Sequence, residues 1–266
     1  MTSARAFARI FFVGGLISYR ALFNWIRPAI YIPSMLGAPI FQILFFTYLG
    51  RYSGVRNDAF FIVGNAVQVC SMSAIYAMTM ALANERNYQT LSPLLATPAN
   101  RVALVLGRGI PVIVNGLFVS VFGFAVGVVL LHFRPGWQNL PALGLILLVT
   151  VTSCTGLGML LGSLGLRMRD VFFVSNLAYF LMLLFCGINV PLHVLPAWMQ
   201  VVGNSVPLTH GVEAARILVA GGTLDGAAGA ELVAEAAVGA VYIAVAFALF
   251  RFFEWQGRSA GVFERL

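Results

Sequence analysis

Six long, uninterrupted apolar runs constrain the fold of this chain more than any other feature. A helix needs about twenty mostly apolar residues to cross a bilayer, and each run comes close to or exceeds that length. Strands of a membrane barrel would instead alternate in polarity over about ten residues. The runs therefore predict an all-α membrane protein with six transmembrane helices. In chain order they are Ala29–Leu49, Ala59–Ala83, Val102–Leu131, Leu140–Leu166, Val171–Val190 and Ala230–Phe250.

The composition supports a single membrane domain. Apolar residues make up 60% of the 266 residues and charged residues only 9%, whereas a soluble domain is about a quarter charged. Six spans leave no room for a folded soluble domain of comparable size. We therefore expect a six-span domain over residues 29–266, preceded by an amino-terminal segment over residues 1–28.

The arginines predict the orientation of the spans. The chain has 16 basic residues, all of them arginine, and about twelve flank one side of the predicted membrane, against about four on the other. The richer side should be cytoplasmic. Both termini and the loop of residues 84–101 then lie in the cytoplasm, and residues 191–220 lie outside. The net charge of +7 is thus a topology signal, and we expect no nucleic-acid partner.

The amino-terminal segment combines arginines with aromatic residues. On a helical wheel its four arginines fall within about 60° of one another, with aromatic and aliphatic side chains roughly opposite. This pattern favours an amphipathic helix lying in the membrane interface. A signal peptide is the alternative, but no convincing cleavage site follows. The arginines are Arg5, Arg9, Arg20 and Arg27, and the opposite face carries Phe7, Phe11, Leu22 and Trp25.

Several kinds of chemistry are excluded by what the sequence lacks. Without lysine the chain has no Walker A loop to hold ATP phosphates. The three cysteines, Cys70, Cys154 and Cys186, lie within apolar runs and show no metal-binding spacing, so they read as small buried hydrophobes. We expect no catalytic residue, cofactor site or metal site in this chain.

A polar loop at residues 84–101 separates the second and third runs. Within it Leu91, Leu94 and Leu95 recur at helical spacing and give one short apolar face. Ser92 and Pro93 can start a helical turn, with serine as the cap and proline in the first position. From spacing alone, an ordinary loop and a docking surface for a soluble partner are both open.

Three motifs resemble the ABC type-2 permease family. The first runs from Glu85 to Pro98 and is similar to the family pattern E-[KR]-x-x-G-T-L-x-x-L-L-x-T-P, with Gln89 in place of the glycine and Pro93 inside the expected helix. The others are V-P-L-T-H-G-V-E-A-A-R at 206–216 and P-L-x-x-L-P-x-W-M at 191–199. The residues that match the first motif are Glu85, Arg86, Thr90, Leu91, Leu94, Leu95, Thr97 and Pro98.

The resemblance implies a permease subunit of an ATP-driven exporter in the cytoplasmic (inner) membrane of a bacterium. Its partners would be two ABC nucleotide-binding (ATPase) subunits, which bind MgATP, a second copy or a related permease, and membrane lipids. The matched loop would be a coupling helix that docks on the ATPase subunit. The amino-terminal helix would contact the same subunit. The chain itself would then not be an enzyme.

The resemblance also assigns a role to the external segment at residues 191–220. Prolines divide it into short apolar pieces that could dip into the outer leaflet where protein covers their backbone. In the family, re-entrant helices at this place cap the exit. The expected gate residues are Pro191, Pro196, Trp198 and Pro207.

Polar residues within the apolar runs are few, and interhelical hydrogen bonds are their default explanation. Because the second and fifth spans line the path in this family, Asn65, Gln68 and Asn176 are also candidates for the translocation path. Small residues of the fourth run, among them Gly158 and Gly162, predict close packing, either within the bundle or against a second copy. The polar residues are Gln42, Asn65, Gln68, Asn115, Asn176 and Asn189.

The cargo is the least determined property. The apolar interior favours an amphiphilic cargo, such as a drug, a lipid or a glycolipid. Residues 167–170 read R-M-R-D and resemble a motif of glycan-exporting members, so a polysaccharide is the alternative. An ATP-independent secondary transporter would need an ionisable residue within the membrane. Glu231 and Glu235, near the outer edge of the last span, come closest, and Glu235 would be the better proton carrier.

Overall fold

The computed structural model describes residues 9, 11–17, 32–55, 57–87, 101–165 and 170–260. All regular secondary structure in these residues is helical, with no strand. We number eight α-helices in chain order and add three short turns of other helix types. The helices are α1 Ala38–Tyr52, α2 Asp58–Asn87, α3 Arg101–Leu131, α4 Leu140–Gly165, α5 Val171–Phe185, α6 Ala197–Ser205, α7 Thr209–Val219 and α8 Ala227–Ala260. The turns are Ile32–Gly37, Trp137–Asn139 and Leu192–Val194.

Four of the six predicted spans are confirmed among the described residues as helices long and apolar enough to cross a membrane. They are Asp58–Leu82, Val102–Leu131, Leu140–Gly165 and Ala227–Phe253. The other two are shorter. Helix α1 has 15 residues and continues from a six-residue π-helical turn. Helix α5 also has 15 residues, about 22 Å, which is less than the roughly 30 Å hydrocarbon layer.

Helix α5 ends earlier than its apolar run predicts. The run extends to Val190, but the helix stops at Phe185 and residues 186–190 bend. Gly187 has a positive φ of 68°, a conformation that an α-helix does not contain. The carbonyls released by this bend are bound by Arg216, which lies far along the sequence. A local apolar pattern contains no sign of that interaction.

Helix α2 is the centre of the bundle and packs against α1, α3, α4, α5 and α7. Close approach depends on glycine at several crossings. A Cβ atom on Gly158 or Gly162 of α4 would lie 2.9 Å from the Met78 side chain or 2.8 Å from the Leu82 side chain of α2. These two glycines, predicted to mediate close packing, therefore do so inside the bundle. Helix α8 packs mainly on α4 and α7 and leaves most of its apolar surface outside.

The described part of the amino-terminal segment, residues 11–17, is helical and packs on α3. A Cβ atom on Gly15 would lie 2.9 Å from the Gly107 carbonyl oxygen, and one on Gly107 would lie 2.6 Å from the Phe11 carbonyl oxygen. The two helices thus cross almost backbone to backbone. This glycine contact adds a partner within the chain to a segment for which the sequence predicted a place in the membrane interface.

Candidate functional site

A hydrogen-bonded network of uncharged side chains joins α1, α2 and α5. Gln42 of α1 donates from Nε2 to Oδ1 of Asn65 at 2.9 Å and accepts at Oε1 from the Tyr179 hydroxyl of α5 at 2.9 Å. Asn65 in turn donates from Nδ2 to Oδ1 of Asn189 at 2.8 Å. The interhelical bonding predicted for these amides is confirmed, and it converges on Gln42.

Gln68 belongs to the same network but is incompletely satisfied. Its Oε1 accepts a short hydrogen bond from Gln42 Nε2. Its Nε2 is buried and has no hydrogen-bond partner in the described structure. A buried amide that keeps an unused donor is costly, so the hydrogen bonds within this network do not fully satisfy Gln68.

Asn176, the third path residue predicted from sequence, lies on a separate branch. Its Oδ1 accepts a hydrogen bond from the Tyr76 hydroxyl of α2. Tyr76 stands edge-on to Tyr179, with ring centroids 6.4 Å apart. Asn176 thus connects to the amide network through a pair of tyrosine rings. Sequence reasoning missed both tyrosines because tyrosine is commonly grouped with the hydrophobic residues, although each hydroxyl needs a partner when buried.

An exposed apolar stripe runs along each of the two shorter spans. Both stripes recur at i, i+4, i+7 and i+11, so each occupies one helical face. The two helices that carry them are joined by the Gln42–Tyr179 hydrogen bond. The exposed residues are Phe41, Phe45, Tyr48 and Tyr52 on α1, and Phe173, Leu177, Phe180 and Leu184 on α5.

The predicted gate prolines delimit the short helices of the external segment. Pro191 precedes the 3₁₀ turn, Pro196 precedes α6, and Pro207 is buried between α6 and α7. Trp198 of α6 packs edge-on against Phe185 at the end of α5, with centroids 5.8 Å apart, and remains 60% exposed. The prolines therefore fix where helices start, while Trp198 covers the end of α5.

Helix α7 is enclosed by the bundle. It packs against α2, α4 and α8, and its residues Gly211, Val212, Ala214, Ala215 and Leu218 are buried. A Cβ atom on Gly211 would lie 2.1 Å from Oγ1 of Thr150. Thr150 lies about 15 Å along α4 from the first residue of that helix. Helix α7 thus packs about 15 Å along α4 from the first residue of that helix.

Arg216 fastens the second half of α7 to two neighbouring helices. Its guanidinium donates to the carbonyl oxygens of Gly187 at 2.8 Å and Ile188 at 2.7 Å, just after α5, and to that of Phe60 at 3.2 Å in α2. It also lies 3.6 Å from the centroid of the Phe60 ring. Burial lowers the pKa of Arg216 to about 10, so the side chain stays a cation at neutral pH.

Glu213 of α7 also lies near Arg216, three residues earlier in the helix, but this ion pair is secondary. The two charged groups are 3.9 Å apart and the Glu213 side chain is 53% exposed, so solvent screens the contact. The carbonyl bonds of Arg216 are shorter and buried. Its principal task is therefore to satisfy backbone carbonyls left open by the end of α5.

The two acids of the last span occupy different environments. The Glu231 carboxylate lies 2.7 Å from His210 Nδ1, and the Glu231 side chain is 33% exposed. Glu235 is fully buried by the surrounding protein. Its Oε1 accepts from Leu208 N at 2.8 Å and its Oε2 from Gly211 N at 3.0 Å. Both oxygens are engaged by the backbone at the start of α7.

Most of the predicted docking segment lies outside the described residues. Glu85 and Arg86 fall in the last turn of α2, whereas Thr90, Leu91, Leu94, Leu95, Thr97 and Pro98 are not described. Among the four arginines of the amino-terminal face, Arg9 is described and exposed. Arg5, Arg20 and Arg27 lie outside the described residues. The docking prediction therefore stays a prediction.

The acid of the R-M-R-D motif has a local role. The carboxylate of Asp170 accepts a hydrogen bond from Phe173 N at 2.9 Å and caps the first turn of α5. This is the usual function of an aspartate before a helix.

The three cysteines, Cys70, Cys154 and Cys186, are buried and form no disulfide. In the part of the chain that the structure describes, no three His, Cys, Asp or Glu side chains converge as metal ligands would.

The long apolar helices, the glycine-mediated crossings and the enclosure of α7 define a helical integral membrane protein. Residues 15–219 match the family model described as ABC-2 type transporter. The chain therefore belongs to the ABC-2 type transporter family, and it is the membrane (permease) domain of an ABC transporter, without an ATPase site of its own. Membership of this family implies association with ABC ATPase subunits. A search among curated proteins finds no match to this chain.

Proposed function

We propose that this permease moves an amphiphilic cargo, such as a drug, a lipid or a glycolipid, out across the cytoplasmic membrane, driven by ATP hydrolysis in separate subunits. One observation carries the proposal. Uncharged hydrogen-bonding groups join α1, α2 and α5 next to the exposed aromatic stripes of α1 and α5. Such a site can form hydrogen bonds with a polar head group, and the apolar part of the same molecule can pack on the exposed stripes.

The path would run along the network of Asn65 and Gln68, with Asn176 on its second branch. The unused Nε2 donor of Gln68 supports this role because a cargo oxygen could satisfy it. The stripes on α1 and α5 support pairing with a second permease, since apolar faces at regular helical spacing suit helix–helix contact. With α1 and α5 beside such a partner, the bundle would have six spans and both termini in the cytoplasm.

The external segment would close the exit of this path. The depth that α7 reaches within the bundle supports a re-entrant arrangement, because protein covers its backbone polar groups. Pro191, Pro196, Trp198 and Pro207 would then shape the gate. A glycan cargo has less support, since the Asp170 side chain, which carries part of that resemblance, caps α5. A proton-coupled transporter has less support as well, since both Glu235 oxygens bind backbone amides.

Docking on the ATPase subunits would use the loop that follows α2. We expect the Leu91, Leu94 and Leu95 face to enter a cleft of the partner, and nucleotide-driven closure to move α2 and α3 through it. The amino-terminal helix, packed on α3 at Gly107, would follow the same movement. MgATP would be bound entirely by the partner subunits.

A pull-down of the tagged protein from its native membrane in mild detergent tests this function. We expect an ATP-binding subunit in stoichiometric amount and vanadate-sensitive ATPase activity. Changing Leu91, Leu94 and Leu95 together to serine should remove the subunit, because the apolar docking face is lost. Asn100→Ser, a polar exchange at the end of the same loop, is the matched control and should retain it.

A correctly inserted particle without any ATPase partner would contradict the proposal and favour an ATP-independent transporter. Retention of the partner by the triple serine variant would contradict the docking role alone. Both variants are compared at equal membrane insertion, measured by protease protection of a terminal tag.

A further inference from the structure

The start of α7 lacks a cap from its own sequence. The first backbone N–H groups of a helix need acceptors from outside the helix, and the residue before α7 is Leu208, whose side chain can accept nothing. The hydroxyl of Thr209 donates to the Gly203 carbonyl at 2.6 Å and so faces away from this task. The acceptor comes instead from α8, where Glu235 binds Leu208 N and Gly211 N.

Leu208 is also held in an unfavourable backbone conformation. It is fully buried and has a φ of 95°, a region that residues other than glycine rarely adopt. A residue keeps such a conformation only while its surroundings enforce it. The hydrogen bond from its N–H to Glu235 Oε1 is one such constraint, and burial of its side chain is another.

Helices α4, α7 and α8 pack closely against one another near the start of α7. Gly239, one turn after Glu235, faces Ser153 of α4, where an added Cβ atom would lie 2.8 Å from the serine side chain. Ser153 also donates from Oγ to the Glu235 carbonyl oxygen at 3.3 Å. About one turn earlier on the same face of α4, Thr150 faces Gly211 of α7. A movement of α8 past α4 must therefore act on the start of α7.

We propose that Glu235 is a positioning residue that holds the start of α7 in the closed position, with Leu208 as the strained joint that its carboxylate restrains. Loss of this attachment lets the Val206–Leu208 connection relax and the start of α7 move away from α5. Arg216 would keep the far end of α7 in place, so the movement is a tilt about that end. The importance of this attachment for transport rests on the proposed function of α7 at the exit. The attachment itself does not depend on that function.

The protein contains its own reporter for this movement. Cys186, just after α5, is buried and donates from Sγ to the Pro207 carbonyl at 3.8 Å, immediately before Leu208. A shift of the connection would uncover this thiol. Cys70, in the middle of α2, is equally buried but lies within the central helix, so it reports general opening of the bundle.

The experiment measures labelling of these thiols in intact spheroplasts with a membrane-impermeant maleimide. Two backgrounds are used, one retaining Cys186 alone and one retaining Cys70 alone. We expect Glu235→Ala to raise the labelling rate of Cys186 by about tenfold or more, the factor associated with losing a charge-assisted hydrogen bond. Glu235→Gln keeps one acceptor oxygen and should lie between the wild type and the alanine variant.

Glu231→Ala is the matched control, since it removes an acid one turn away that binds the His210 side chain rather than the backbone of α7. It should leave Cys186 labelling unchanged. An unchanged Cys186 rate in Glu235→Ala would overturn the proposal. An equal rise of Cys70 labelling would overturn it as well, because the effect would then be general loosening. An equal effect of Glu231→Ala would also overturn it, because any link between α8 and α7 would then have the role assigned to the Glu235 backbone bonds.

The assay needs neither ATP nor cargo, so it separates this proposal from the proposed function. A chain without ATPase partners whose Cys186 opens in Glu235→Ala would keep the positioning role and lose the export role. A working exporter whose Cys186 stays closed in that variant would do the opposite.

Discussion

The amide network between α1, α2 and α5 and the attachments of α7 place polar groups inside the same apolar bundle in two different ways. The network pairs neutral side chains with one another and leaves one donor unused. Helix α7 is attached through the Glu235 carboxylate and the Arg216 guanidinium, and each of these bonds to backbone groups. Side-chain pairs can exchange partners at small cost, whereas backbone groups at a helix end have few other acceptors or donors. The network is therefore suited to admit a cargo, and the attachments are suited to hold a position.

The largest effect should follow from removing Arg216. Arg216→Ala leaves the buried carbonyls of Gly187, Ile188 and Phe60 without their donor and removes the stacking on Phe60. We expect a loss of about 3 kcal/mol or more in the free energy of unfolding, or failure to accumulate. Arg216→Lys should recover only part of this stability. It keeps the positive charge, but an ammonium group cannot bond to all three carbonyls as the guanidinium does.

Thermal unfolding in detergent measures this change, with Glu213→Gln as the control. Glu213 is exposed and 3.9 Å from Arg216, so its exchange should cost less than about 0.5 kcal/mol. Equal losses for Arg216→Ala and Glu213→Gln would show that the ion pair, and not the carbonyl contacts, holds α7.

A smaller effect is expected from the glycine that makes room for Arg216. An added Cβ atom on Gly64 of α2 would lie 2.6 Å from Arg216 Nη2 and 2.7 Å from the Ile188 carbonyl oxygen. Gly64→Ala should therefore push the guanidinium off its carbonyls and cost about 1–3 kcal/mol in the free energy of unfolding.

The matched control is Gly144→Ala in α4, where an added Cβ atom meets nothing within 4 Å. That exchange should be neutral or stabilising by up to about 1 kcal/mol, since alanine favours the helix. Both variants are compared by thermal unfolding in the same detergent. A Gly64→Ala protein as stable as Gly144→Ala would mean that the Arg216 contacts tolerate displacement.

The same contrast shows which features the sequence could predict. The four long spans could be predicted from the length of their continuous apolar runs, which depends only on residues adjacent in the sequence. The end of α5 depends on Arg216, and the cap of α7 depends on Glu235, and both partners are distant along the sequence. The spacing of Leu208, Gly211 and Arg216 within the matched motif suits one carboxylate at the start of α7 and one guanidinium further on. No rule of helix periodicity contains that arrangement.

The amide network was accessible to sequence reasoning only in part. Asn65 and Gln68 were recognisable as polar residues in a span, but the tyrosine hydroxyls that complete the network belong to residues counted as apolar. Gln42 was recognisable as polar, yet its central position follows from the way α1, α2 and α5 converge. Hydrogen-bond partners across helices require the packing, which local pattern does not specify.

The smallest effect on stability, and the most informative for function, should come from Gln68→Met. The exchange keeps the side-chain length and removes the buried Nε2 that has no partner. Gln42 Nε2 loses one acceptor but keeps Asn65. We therefore expect a change of less than about 1 kcal/mol in the free energy of unfolding. Cargo export from cells or proteoliposomes should nevertheless fall, because the donor proposed to bind cargo is gone.

Tyr179→Phe provides the comparison for this last prediction. It removes the hydroxyl that donates to Gln42 and should cost about 0.6 kcal/mol, the mean for an interhelical hydrogen bond in a membrane protein. It leaves the Gln68 donor in place, so export should fall less than in Gln68→Met at equal amounts of inserted protein. If both variants export normally while remaining folded, the network holds helices together and takes no part in cargo binding, and the difference between the two regions would lie in stability alone.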